Sequence, residues 1–214
     1  MIIDTDIDSL TKKITAMLEM QDAMNIKVHP QWNEQGFEWY RAIWVECAEM
    51  LDHYGWKWWK HQQPDIDQVQ LELVDIFHFG LSGKILENSD FSSLAAEMAS
   101  EMQNPVMGDD FKESLEILAA YALNHKKFDV ASFTGCLLQC EMTIDGLYRS
   151  YVGKNCLNFF RQDHGYKDGT YFKVWHGRED NEHLVDIINS LDSSDLKFKE
   201  NIYQALEKVY PKQS

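Results

Sequence analysis

The chain is short of positive charge: 20 Lys and Arg stand against 35 Asp and Glu, a formal net charge of −15. That balance argues against broad binding to nucleic acid or an anionic membrane, both of which need an excess of Lys and Arg. It leaves room for one small anionic ligand in a local basic pocket. Long apolar runs are missing too, and none approaches the roughly 18–20 residues that span a bilayer. The first residues, Met-Ile-Ile-Asp-Thr-Asp, carry neither a basic nor an apolar leader segment. Cysteine is sparse: Cys47, Cys136, Cys140 and Cys156 form no CxxC pair and read as small buried hydrophobes of a reducing compartment. The expected location is the cytoplasm. Gly-rich phosphate loops, nucleophile elbows, zinc-helix and calcium-loop patterns are absent, as are internal repeats and low-complexity tracts. Strand signals are weak throughout. The expected fold is therefore all-α, a multi-helix bundle with residues 1–214 as a single domain, and 44% apolar content is enough for a sizeable core.

What is present is concentrated between Trp44 and Phe79. Two acidic signatures lie there, Glu46-Cys-Ala-Glu49 and Glu72-Leu-Val-Asp75. The i, i+3 spacing puts each pair on one helix face, about 60° apart around the axis. Both sit in otherwise apolar sequence, Ala42 to Val45 before the first and Leu71, Leu73, Val74, Ile76 and Phe77 around the second. Burying carboxylates there is costly unless something positive meets them, and neither motif contains Lys or Arg. Two packed helices with four carboxylates converging on divalent metal is the economical arrangement. An iron or manganese bundle would show Glu-x-x-His pairs, whereas the fourth positions here are Glu49 and Asp75. Oxygen-only ligation favours Mg²⁺, and four carboxylates suit two ions better than one.

In chain order, residues 6–26 read as an amphipathic helix with Leu10, Ile14, Met17 and Leu18 on its stripe. The same stripe continues to Gln21 and Asn25, amides that are either satisfied structural residues or ligand readers. The residues alone favour the structural role. A second helix begins near Phe37 and ends or kinks at Gly55, followed by Trp56-Lys57-Trp58-Trp59-Lys60. Part of that tryptophan cluster is expected in the core, although aromatic faces also stack on nucleobases. Pro64 and Asp65 open a third helix, with Asp67 as an alternative cap, and it runs to about residue 83. Further helices are expected over 91–102, 111–124, 129–151, 180–191 and 195–209. Residues 84–150 yield no assignable role. Residues 149–178 invert the charge balance, with Arg149, Lys154, Arg161, Lys167, Lys173 and Arg178 against Asp163 and Asp168. Lys154, Asn155, Asn158, Arg161 and Gln162 share a helical stripe of the kind that suits phosphate oxygens. A glycine-punctuated aromatic loop follows and ends in Glu179-Asp180-Asn181.

These residues together describe an Mg²⁺-dependent phosphate-transfer or hydrolysis site acting on a nucleotide. At five separated blocks the sequence resembles the dimeric all-α dUTPase family of the MazG-like nucleotide pyrophosphohydrolases. The blocks are 18–25, 46–49, 52–60, 72–79 and 154–167 with its continuation to 179–181, about a third of the chain. The resemblance implies hydrolysis of dUTP, and of dUDP, to dUMP with release of pyrophosphate or phosphate, which keeps uracil out of DNA. It implies Glu46, Glu49, Glu72 and Asp75 as ligands of two or more Mg²⁺ ions, with Glu49 orienting the attacking water. Gln21 and Asn25 would read the uracil edge, reversing the preference that the residues alone gave, and Trp59 would pack on base or sugar. Lys154, Asn158, Arg161, Lys167 and Lys173 would hold phosphates. His78 is equally readable as a site residue or a satisfied core histidine. A homodimer closing over its substrate is also implied. The alternatives are a relative acting on dCTP or a modified nucleotide, and a non-catalytic partner-binding protein.

Overall fold

The computed structural model describes residues 6–192, 195 and 197–211. Among these, helices follow one another as α1 (Ile7–Val28), α2 (Trp39–Tyr54), α3 (Ile66–Glu87), α4 (Phe91–Met102), α5 (Phe111–His125), α6 (Val130–Gln139), α7 (Ile144–Asp163), α8 (Asp180–Ser190) and α9 (Phe198–Val209). The fold is all-α; β1 (Val174–Trp175) and β2 (Arg178–Glu179) make one small antiparallel hairpin. No helix among the described residues is long and apolar enough to cross a membrane.

Side-chain caps start most of the helices. Asp6, Asp65, Asp90, Asp110, Asp129 and Thr143 each accept a hydrogen bond from a backbone N–H two or three residues on, in the first turn. At the far end of α2, Gly55 adopts φ 91°, and a Cβ there would meet Gln62 at 2.8 Å. Both facts demand glycine. The expected helix over 129–151 is in fact two. Glu141 takes a left-handed φ of 54°, Met142 N–H bonds back to Leu137 O, and Thr143 caps a new start. The third helix continues through Gly83 to Glu87, where Asn88 caps it. The last helix starts at Phe198 instead of 195.

Two apolar clusters hold the bundle. The larger takes Ile14 and Leu18 from α1, Ile43 and Met50 from α2, Leu73 and Phe77 from α3, and contributions from α4 to α6. The smaller is built from Cys156, Phe160, Trp175, Leu184 and Ile202. Helix α7 belongs to both, with Leu147 and Tyr151 in the first and Val152 to Phe160 in the second. Its Gly153 is a point of close approach, since a Cβ would fall 2.1 Å from Ile188 of α8. Helices α2 and α3 pack most extensively on one another, while α4 backs α1 and α5 backs α2. Residues 84–150 thus buttress the helices that carry the acidic motifs. All four cysteines are buried and free, and burial pushes the thiols of Cys47, Cys140 and Cys156 up to about 12.

Candidate active site

The α2–α3 seam brings carboxylates together. On α2, Ile43, Cys47 and Met50 point into the core and Glu46 lies at the edge of that stripe. On α3, the apolar positions around Glu72 and Asp75 are fully buried while the two acids stay half-buried. Glu46, Glu72 and Asp75 each offer an oxygen within 4.8 Å of the others. Burial first, then the charge of Asp75 and the presence of Glu72 and Glu49, pushes the Glu46 carboxyl up to about 8. Glu46 keeps a proton and donates it to Glu72, whose own carboxyl is raised chiefly by burial. Glu49 is exposed and outside the trio, yet its charge reaches both Glu46 and Glu72.

Partners for these carboxylates arrive from elsewhere in the chain. Lys154 on α7 places Nζ 2.8 Å from Asp75 Oδ2 with its side chain almost wholly buried. His53 Nε2 lies 3.4 Å from Glu72 Oε1, a partner that no ligand spacing in the sequence indicated. One lysine against three clustered carboxylates leaves the seam short of positive charge.

Behind the carboxylates sits a neutral network. Gln21 Nε2 donates to Asn25 Oδ1 and to Ser82 Oγ, and Asn25 Nδ2 donates to Ser82 Oγ, all at 3.0 Å. Ser82 Oγ donates to His78 O. Gln21 Oε1 accepts from His78 Nδ1 at 2.7 Å and lies 2.8 Å from the Tyr151 hydroxyl, which also has Met17 O within 3.0 Å. Gln21 and Asn25 are thus engaged with protein partners in this arrangement. Burial lowers the His78 imidazolium to about 4, so the ring is neutral. Its Nε2 is buried without a partner.

The basic segment is largely committed to itself. Arg161 meets Asp180 through Nε and Nη2, both at 2.8 Å, and also donates to Asn158 Oδ1 at 3.2 Å. Asp180 is fully buried; burial raises its carboxyl, but the Arg161 hydrogen bonds and charge, with the Tyr171 hydroxyl at 2.8 Å, outweigh this and hold it low. Lys173 pairs with Glu179 at 3.2 Å on the surface, and Lys167 reaches Val28 O at 3.4 Å. Asn181 joins the two regions, accepting from Lys154 at 3.2 Å and from Arg161 at 3.4 Å. In the sequence Asn181 stood at the end of an aromatic loop and in the last of the resembling blocks, with no role attached. Ser82 and Tyr151 were not singled out, and only the run of Ser82 on from Asp75 at helical spacing could have pointed to the first.

The tryptophans correct one expectation. Trp56, Trp58 and Trp59 are 43%, 90% and 58% exposed, so none belongs to the core. They pack edge to face around Trp59 and, with Lys57, Lys60 and Lys112, line an open pocket of about 500 Å³.

The model of a family described as dUTPase matches residues 13–166. That span contains the four carboxylates, Gln21, Asn25, Trp59, Lys154, Asn158 and Arg161, whereas Lys167 and Lys173 fall beyond its end. No curated protein matches the chain.

Proposed function

The chain belongs to the dUTPase family, and on that premise we propose that it hydrolyses dUTP, and dUDP, to dUMP at the α2–α3 seam with Mg²⁺. The observation that carries this reading is the meeting of Glu46, Glu72 and Asp75 within 4.8 Å, with Glu46 driven up to about 8. Burial, and after it the crowding of the carboxylates, raises that value; a divalent cation relieves both, and an all-oxygen donor set suits Mg²⁺. Glu46, Glu72 and Asp75 would hold the metal, with Glu49 at the rim as a further ligand. Bound there, it would neutralise phosphate charge and lower the pKa of water, with more than one ion expected for a carboxylate set of this size.

The remaining chemistry belongs to the chain. Glu49 is exposed beside the trio, so its carboxylate takes the proton from the attacking water. The new bond runs from water oxygen to phosphorus, and the phosphoanhydride bond to the departing pyrophosphate breaks. Lys154, paired with Asp75 at 2.8 Å, would hold a phosphate oxygen beside the carboxylates. Asn158, Arg161, Lys167 and Lys173 complete the phosphate set, Arg161 reaching it only through a shift of its tie to Asp180. Gln21 and Asn25 stand at the base end, and Trp59 offers an exposed face for base or sugar. We read residues 1–214 as one unit acting in the cytoplasm as a homodimer, without a nucleic-acid partner. Half-exposed Trp44 and Val45 beside Glu46 support a second copy there.

The test is pyrophosphate release from dUTP, dCTP, dTTP and UTP at saturating Mg²⁺, for the native chain and Glu49→Gln. Strong dUTP preference, lost in the variant, is the expected result. Preference for dCTP would move the substrate while keeping the site, and no turnover of any of the four would overturn the enzymatic reading.

A further inference from the structure

The carboxylate seam makes no use of the neutral groups buried behind it. On α3, Glu72, Asp75, His78 and Ser82 follow at intervals of three, three and four, so the acidic stripe runs on into His78 and Ser82. The ten steps from Glu72 to Ser82 cover about 15 Å of helix, of the order of an extended nucleoside triphosphate. Phosphates at the acids would set the base beside His78.

Hydrogen-bond logic fixes the state of that histidine. Ser82 has one hydroxyl hydrogen, and it goes to His78 O. The two side-chain atoms facing Ser82 Oγ must therefore be N–H donors, which orients both Gln21 and Asn25. Gln21 then presents its oxygen to His78 Nδ1. An amide oxygen only accepts, so Nδ1 carries the ring proton and Nε2 carries the lone pair. That lone pair is buried with no partner, on a ring stacked against Tyr151 at a centroid distance of 4.1 Å. Gln21 has both N–H groups and its oxygen occupied, while Asn25 keeps one N–H beyond the bond to Ser82.

We propose that His78 reads the nucleotide base, its Nε2 accepting the imide N–H of uracil, while Gln21 is the positioning residue that holds the ring in that tautomer. The proposal rests on the dUTP reading above. Uracil and thymine carry a hydrogen at N3, whereas cytosine carries a lone pair there. A lone pair facing Nε2 would leave two buried acceptors unpaired, and sites built on such groups reject the wrong partner strongly. Asn25 keeps an N–H for a neighbouring carbonyl. Gln21, Asn25 and His78 are only 5–6% exposed, so a base reaches Nε2 when the helices part and is enclosed when they close.

The experiment is kcat/KM for dUTP, dTTP and dCTP in the native protein and in His78→Phe, which keeps a ring on Tyr151. Loss of one buried hydrogen bond predicts a fall of about tenfold or more for dUTP and dTTP together, with dCTP unchanged or improved. An equal fall for all three would mean a purely structural histidine and overturn the proposal. Should the variant not fold, ¹⁵N-histidine NMR of the native protein decides. The His78 Nε2 resonance should move on saturation with dUMP and stay put with its N3-methyl analogue; no movement with dUMP means that Nε2 meets no base and overturns the proposal. Native dUTP preference retained by His78→Phe sinks only the His78 assignment, whereas absence of native dUTP turnover sinks the parent reading as well.

Discussion

The α2–α3 seam and the α7–α8 junction are both charged and both partly buried, yet they solve their electrostatics in opposite ways. At the junction Arg161 and Asp180 are matched by a two-pronged ion pair, and Tyr171, Asn158 and Asn181 take up the remaining capacity. At the seam three carboxylates crowd together, and Glu46 avoids the conflict by keeping a proton. A completed network positions helices; an uncompleted one is held ready for a ligand that brings charge. Lys154 belongs to both, bridging Asp75 and Asn181.

The largest effect should come from finishing the seam by mutation. Glu46→Gln removes one carboxylate and should cut kcat on dUTP by roughly three orders of magnitude, several kcal/mol of metal-assisted stabilisation. The same change should raise the melting temperature in EDTA, because it removes a carboxyl that burial and its acidic neighbours force to stay protonated. It should also flatten a pH dependence. The folded-state value of Glu46 near 8 lies above its ordinary 4.5, so between these the native state binds a proton that the unfolded chain does not. Metal-free stability therefore falls as pH rises from about 4.5 to about 8. A thermal melt series across that window checks the sign, and a flat native profile would mean that the seam is already neutralised.

Breaking the junction should act on stability instead. Arg161→Ala strands Asp180 without its partner, and losing one side of a buried pair costs about 3–5 kcal/mol. The melting temperature should drop by roughly 10 °C, with turnover at low temperature reduced mainly through KM. A variant that melts like the native chain would show the pair to be dispensable. The smallest change is Lys173→Ala, which opens an exposed pair with Glu179. Stability should shift by less than about 1 kcal/mol, while KM for dUTP rises; an unchanged KM would remove Lys173 from the phosphate set.

Legibility followed the same divide. The acidic helices could be read because apolar spacing, the Asp65 cap and the Gly55 end are local signals. The break between α6 and α7 was hidden, since Cys140 to Thr143 contain neither Gly nor Pro and the left-handed turn falls on Glu141. Ser82 and Tyr151 lie 61 and 130 residues from Gln21, and spacing cannot report a bond across such separations. Aromatic density misled in its own way, because three adjacent tryptophans look like core whichever way the loop turns. The Arg161–Asp180 tie likewise crosses a glycine-rich loop whose path no periodicity gives.

The four thiols offer a clock for all of this. Cys47, Cys136 and Cys140 belong to the larger apolar cluster and Cys156 to the smaller. Enclosed and held well above the pH of any assay, they are inert to alkylating reagents until the surrounding helices separate. Labelling rates at Cys47 and Cys156, read by mass spectrometry with and without nucleotide, would therefore report how often each half of the bundle opens, with no probe added to the molecule.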